Sequence, residues 1–140
     1  MIRIAAILLL FAAPLSHAAT YYVAPPPGGD DGNPGTLAAP WATIQHAADT
    51  VQPGDTVQVR GGSYAGGYFE TSGTAALPIV LENYPGELPS ITSDNPTTPD
   101  GINLEGASYM TVQGFTVNGR TRAGNCRFTR VELCRSRLEV

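Results

Sequence analysis

The side chains able to do chemistry are few, and they fall in separate places. Asp30, Asp31 and Asn33 sit together in a run of turn formers, APPPGGDDGNPGTLAAP. Their oxygens suggest a calcium loop. An EF-hand loop, however, needs alternating ligands and a closing glutamate, and this stretch has neither. The reading is that these side chains hydrogen-bond the turning backbone. Asp94, Asp100 and Glu105 flank a proline-rich loop without ligand spacing and are read as solvated. His46 has no Cys or carboxylate at ligand spacing and is read as a solvated helix residue. Arg60 closes a strand and is read as structural. No Ser-His-Asp set, Cys-His set or phosphate loop is present, and Gly61-Gly62 and Gly66-Gly67 are read as turns. The two cysteines, Cys126 and Cys134, come late. The sequence therefore nominates no catalytic residue, no metal ligand and no cofactor.

The elements that would hold these residues are short. Thr43 caps a helix through its hydroxyl. Ile44, Ala47, Ala48 and Val51 fall at i, i+3, i+4 and i+7, one apolar stripe. Pro53-Gly54 ends the helix. From Thr56 the period becomes that of a strand, TVQV. Further short strands are expected at Tyr68 to Thr71, Pro78 to Tyr84, Pro89 to Thr92, Ile102 to Leu104, Met110 to Val112 and Phe115 to Val117. Ile102 to Leu104 is expected to pair with Met110 to Val112, and Asn118-Gly119 to turn the chain. GDTVQVRGG and YMTVQGFTVNG share a Thr-Val-Gln core, with PIVLENY between them. Thr56 and Thr111 are thus two periods apart. Short strands ended by Gly, Asn or Pro, with one Asn-Gly hairpin signal, suit a stack of β-coils. A β-sandwich is the alternative.

Residues 1–18 read as a leader. Arg3 supplies the charge, Ile4 to Ala13 the apolar run, and Ser16-His17-Ala18 the small residues before cleavage. The run is shorter than the ~20 residues that span a bilayer. Cleavage is expected after Ala18, giving a secreted or periplasmic chain of about 120 residues without a membrane anchor.

The order YYVAPPPGGDDGNPGT, PWATIQHAADTVQPGDTVQVRGGSY, SGTAALPIVLENYPGELPSI, GINLEGASYMTVQGFTVNG resembles the right-handed parallel β-helix proteins. It resembles in particular the N-terminal end of secreted polysaccharide lyases of the pectate-lyase and chondroitinase-B or alginate-lyase kinds. The resemblance implies an all-β fold, a right-handed parallel β-helix of about three coils. It implies a short capping α-helix over the open end, a catalytic groove on coils nearer the C-terminus, and calcium in the related lyases. Residues 19–39 are then an N-terminal strand and turn-rich loop, 40–53 the capping helix and 54–119 the first coils. Such enzymes remove a proton next to a carboxylate, which takes a base and a group that neutralises the acid. This chain has no lysine.

Charge divides the chain at Gly119. From Thr20 to Gly119 there are ten acids and one base, Arg60; from Arg120 to Val140 there are six Arg and two Glu. The tail, residues 120–140, departs from the coil pattern. Three readings compete: a Cys126–Cys134 disulfide, a basic arm, or a segment read out of frame. The last is preferred, and with it come poor solubility and an inactive, incomplete β-helix. The expected function is the cap and first coils of a polysaccharide-active protein of the lyase kind, with acidic polysaccharide as partner and no nucleic acid. The rivals are a non-catalytic carbohydrate-binding or surface module and a basic-tail interaction protein.

Overall fold

A computed structural model describes residues 17–117 and 134–136. Strand β1 (Thr20–Val23) precedes a long loop and helix α1 (Ile44–Thr50). Three strands then follow in one winding: β2 (Thr56–Val59), β3 (Gly62–Ala65) and β4 (Gly67–Tyr68). The next winding repeats them as β5 (Ile79–Asn83), β6 (Pro89–Ser93) and β7 (Ile102–Asn103). A third begins with β8 (Met110–Gln113) and β9 (Thr116–Val117).

Corresponding strands of successive windings pair in parallel. They form three sheets, ordered β1-β2-β5-β8, β3-β6-β9 and β4-β7. The register is continuous: Tyr21, Val57, Leu81 and Val112 lie side by side across the first sheet. One residue on, Tyr22, Gln58, Glu82 and Gln113 do the same. Because strand side chains alternate, the first row points inward from Val57 on and the second outward. Val57, Leu81 and Val112 are buried, while Gln58, Glu82 and Gln113 are half-buried. Beside Val57 and Leu81, the interior takes Phe69 and Ile79 from the first two windings, then Ile91, Ile102 and Leu104. Val112 and Phe115 continue it into the third. None of these windings closes a core by itself, so each is stable only when stacked.

Bends between sheets need small residues. An added Cβ on Gly66 would overlap the Gly101 carbonyl, and the amide next to it, Gly67 N, donates to that carbonyl at 3.0 Å. The backbones of two windings meet there with no room for a side chain.

Helix α1 is shorter than its apolar stripe suggests. Thr43 is its N-cap, accepting from His46 N at 3.0 Å. Val51 leaves the helix as an extended C-cap yet stays buried with Ile44, Ala47 and Ala48. The helix packs on β1, β3 and β4. Gln45 also completes the outer edge of β4: its Oε1 accepts Tyr68 N at 2.9 Å and its Nε2 donates to Tyr68 O at 3.3 Å. A side-chain amide thus takes the place of a neighbouring strand.

The coil architecture and the two-period spacing of Thr56 and Thr111 hold, since Val80 lies between them in register. Three local expectations do not. Gly62 and Gly67 lie in strands, so the first winding has β3 and β4 where a turn and a strand from Tyr68 to Thr71 were expected. Ile102–Asn103 pairs with β4, and Met110 onward with β5, so these two segments do not pair with each other. Stacking of whole windings outcompetes local hairpins here. Within the tail, strand β10 (Cys134–Ser136) runs antiparallel to β8, with Cys134 opposite Val112. The leader's apolar run, the Asn118-Gly119 turn and Cys126, and with it the Cys126–Cys134 pairing, lie outside the described residues.

Candidate functional site

The outer face of the first sheet carries a row of hydrogen-bonding side chains. Gln58 Nε2 donates to Glu82 Oε1 at 3.0 Å, and Gln113 Nε2 donates to Glu82 Oε2 at 2.9 Å. One carboxylate is thereby held between two amides, one from the winding before and one from the winding after. Each glutamine keeps its carbonyl oxygen for another donor. The Thr-Val-Gln repeat places both glutamines, and PIVLENY supplies the glutamate in register with them.

Tyr22 continues this row on β1. Its ring lies 6.3 Å from that of Tyr84, tilted by 59°. The Arg60 guanidinium carbon sits 4.6 Å from the Tyr84 ring centroid, a cation–π contact. Glu87 faces Arg60 squarely. Arg60 Nε lies 2.9 Å from each Glu87 oxygen and Nη2 is 2.7 Å from Oε1. Gly61 N donates to Glu87 Oε2 at 2.6 Å. The hydrogen bonds from Arg60 and Gly61 hold the Glu87 carboxyl below its ordinary range, and Glu87 in turn raises Arg60. Both side chains remain partly exposed, at 39% and 29%. Tyr64 is buried; its hydroxyl donates to Arg60 O at 2.8 Å, and burial raises its pKa.

The outcome is a face with hydrogen-bonding groups, two tyrosine rings and one charge pair. Those groups suit sugar hydroxyls and rings. Proton abstraction is another matter, because Arg60 is paired with Glu87 and held charged.

Asp30 Oδ1 accepts Gly32 N at 2.7 Å, and Asn33 Nδ2 donates to Pro40 O at 2.9 Å. Asp31 reaches further, accepting from Ala42 N, Thr43 N and Thr43 Oγ1 at 2.7–2.9 Å. Burial pushes its carboxyl up, but the hydrogen bonds from Thr43 and Ala42 outweigh that and leave it lowered. These three residues do bind backbone, and Asp31 secures the start of α1. Trp41 fills the centre of the loop. It stacks on Tyr21 at 4.4 Å and donates Nε1–H to Asn33 O at 2.9 Å. His46 meets Trp41 edge-on at 5.0 Å and is half-buried, so it is less solvated than expected.

Asp94 and Glu105 are exposed as expected, but Asp100 is buried. The cause is Asn95, whose side chain gathers the loop. Asn95 Nδ2 donates to Asp100 O at 2.7 Å, and Oδ1 accepts Thr97 N and Thr98 N. Glu82, Glu87 and the buried Asp55 went unremarked in the sequence. For Glu82 a signal existed, its register with the two Thr-Val-Gln repeats. For Glu87 none did, because its partner lies 27 residues away across a winding. Among the described residues no group of three or more His, Cys, Asp or Glu is placed to hold a metal ion. No helix among them is long and apolar enough to cross a membrane.

Comparison with known proteins agrees with this geometry. Residues 21–136 match the family described as the Pel9A-like, right handed beta helix region. The chain belongs to that family. It is similar to pectate lyase PEL9 of Emericella nidulans, 41% identical over 73 residues, covering 49% of this chain and 18% of that protein. Two solved structures share the fold. A GH136 lacto-N-biosidase from Eubacterium ramulus superposes with a TM-score of 0.61 at 22% identity, covering 78% of this chain and 22% of its own. A rhamnogalacturonan lyase gives 0.58 at 24%, covering 71% and 28%. The chain therefore spans less than a third of each relative. It is a β-helix region related to pectate lyases.

Proposed function

We propose that this chain is the lid and first coils of an exported polysaccharide-active β-helix protein of the lyase kind. In this reading the 140-residue chain binds acidic polysaccharide without cleaving it. The family match over residues 21–136 carries the reading. Helix α1 serves as the lid, with its apolar stripe over the first winding and Gln45 closing the edge of β4. The leader directs export to the periplasm or outside the cell and is removed after Ala18.

The Gln58–Glu82–Gln113 row and the Tyr22 and Tyr84 rings supply sugar contacts. Arg60 exchanges part of its bond to Glu87 for a uronate carboxylate. Elimination requires a base and acid-neutralising groups, and in this reading coils nearer the C-terminus than the first ones supply them, with calcium where the related lyases use it. The second reading makes the whole protein, and not this chain alone, a non-catalytic carbohydrate-binding or surface module. It is favoured by the engagement of Arg60, the one basic residue between Thr20 and Gly119, with Glu87.

The test is incubation of the purified chain with polygalacturonate and with rhamnogalacturonan. Retention on the polymer without unsaturated uronide is the expected result. Release of unsaturated uronide would show that the chain is itself a lyase.

A further inference from the structure

The start of β1 holds a contact that the fold alone does not require. Ala19 N lies 2.9 Å from Asp55 Oδ1. Asp55 is 2% exposed, the residue just before β2. Its other oxygen, Oδ2, accepts Gln52 N at 2.8 Å. The backbone locks both residues in place: Thr56 N donates to Ala19 O at 2.9 Å, and Val80 N donates to Asp55 O at 3.0 Å. A carboxylate removed from water thus has one oxygen on a neutral turn amide and the other on Ala19 N. Ala18, the residue before it, is exposed. The small residues Ser16 and Ala18 also mark the bond from Ala18 to Ala19 as the scissile one.

We propose that hydrolysis of the Ala18–Ala19 bond creates a charged terminus that docks on Asp55, so that processing completes the first winding. The inference rests on the export reading above. A signal peptidase adds water across the peptide bond. The C–N bond breaks, Ala18 leaves as a carboxylate with the leader, and Ala19 keeps the nitrogen as an α-ammonium. That nitrogen already lies at hydrogen-bond distance from Asp55 Oδ1. Cleavage therefore converts a neutral N–H contact into a charge-assisted one in a half-buried place, on a carboxylate that is itself buried. Two extra protons on the same nitrogen become available to solvent or to neighbouring carbonyls. Before cleavage, Asp55 is a buried carboxylate facing two neutral amides. After it, the charge is matched. The leader, while attached, denies the first winding this ion pair, and its removal stabilises β1 against β2.

The sequence makes the test unusually clean. With no lysine in the chain, the processed protein has one primary amine, that of Ala19. The exported protein is purified, and its N-terminus is read by mass spectrometry. The folded and the urea-unfolded protein are then labelled with an acetylating ester. Thermal melts are compared for the processed chain, its α-acetylated form refolded, Asp55→Asn, and acetylated Asp55→Asn.

The expected terminus is Ala19-Thr20-Tyr21. Labelling is expected to be roughly tenfold or more slower in the folded chain, because the amine is held in a structured contact. Acetylation and Asp55→Asn are each expected to lower Tm by roughly 5–10 °C. Together they should cost little more than either alone, since both break one pair. A terminus other than Ala19 overturns the cleavage site and the inference with it. Ala19 with equally fast labelling folded and unfolded overturns the docking while leaving export intact. So do additive losses from acetylation and Asp55→Asn. If Asp55→Asn fails to fold, the labelling ratio of the unaltered chain decides. None of these outcomes depends on uronide release, which tests the lyase reading separately.

Discussion

Strand β2 has a carboxylate just before it and a guanidinium just after it, and the fold treats them in opposite ways. Asp55 is buried, bound to backbone nitrogens of Ala19 and Gln52. Arg60 lies at the surface, paired with another side chain, Glu87, and lying over a tyrosine ring. The first contact ties the start of β1 to the first winding, where loss of a partner leaves a buried carboxylate without its donor. The second ties two windings together at a place water reaches, where ion pairs add little to stability but remain free to exchange partners. Inside and outside of the same sheet differ in the same manner. Leu81 seals the stack, and Glu82, its neighbour, faces solvent between two amides.

That contrast can be broken by substitution. The largest effect is expected at the interior. Leu81→Ala leaves a cavity in the middle winding and should cost about 2–5 kcal/mol, read from urea or thermal melts. A melt indistinguishable from the parent would mean that the windings do not share one core.

Gly35→Ala comes next. Gly35 has φ of +77°, and a Cβ there would lie 2.6 Å from Trp41 Cε2. The backbone strain and the displaced indole should together cost about 1–3 kcal/mol. Loss of the Trp41 fluorescence signature at lower urea would report it.

Asp31→Asn should have a smaller effect, and one that depends on pH. The folded Asp31 carboxyl is lowered, so its contribution is present above the ordinary carboxylate range. It is lost as pH falls below about 4 and through the lowered folded value. The parent should lose stability over that interval, and Asp31→Asn should flatten the decline.

The smallest effect on stability is expected on the outer face. Arg60→Gln and Glu82→Gln should melt close to the parent. They should nonetheless weaken retention on acidic polysaccharide, Arg60→Gln in a salt-dependent way. A large loss of stability in either would assign the outer face to folding.

The architecture was legible because its signals are local or periodic. Thr43, the Ile44 stripe and the TVQ repeat each state their own structure, and the repeat fixes the spacing of windings. The strands at Gly62 and Gly67 were not legible. Glycine there answers to close neighbours, Pro25 at Gly62 and the Ile44 side chain of α1 at Gly67, and propensity reads it as a turn. Asp100 was misread for a related reason. Its loop is polar in sequence, but Asn95 folds it inward through bonds that no spacing announces. On the outer face, Gln58 and Gln113 could be seen as a repeat, and Glu82 only once register put it between them. The pairing of Arg60 with Glu87 depends wholly on stacking.

The most direct test of the account is product analysis on the purified chain with polygalacturonate. Stacked coils whose outer face binds sugar as proposed should give a complex that sediments with the polymer, weakens in Arg60→Gln, and yields no unsaturated uronide. Steady formation of unsaturated uronide, unchanged in Arg60→Gln and Glu82→Gln, would contradict it.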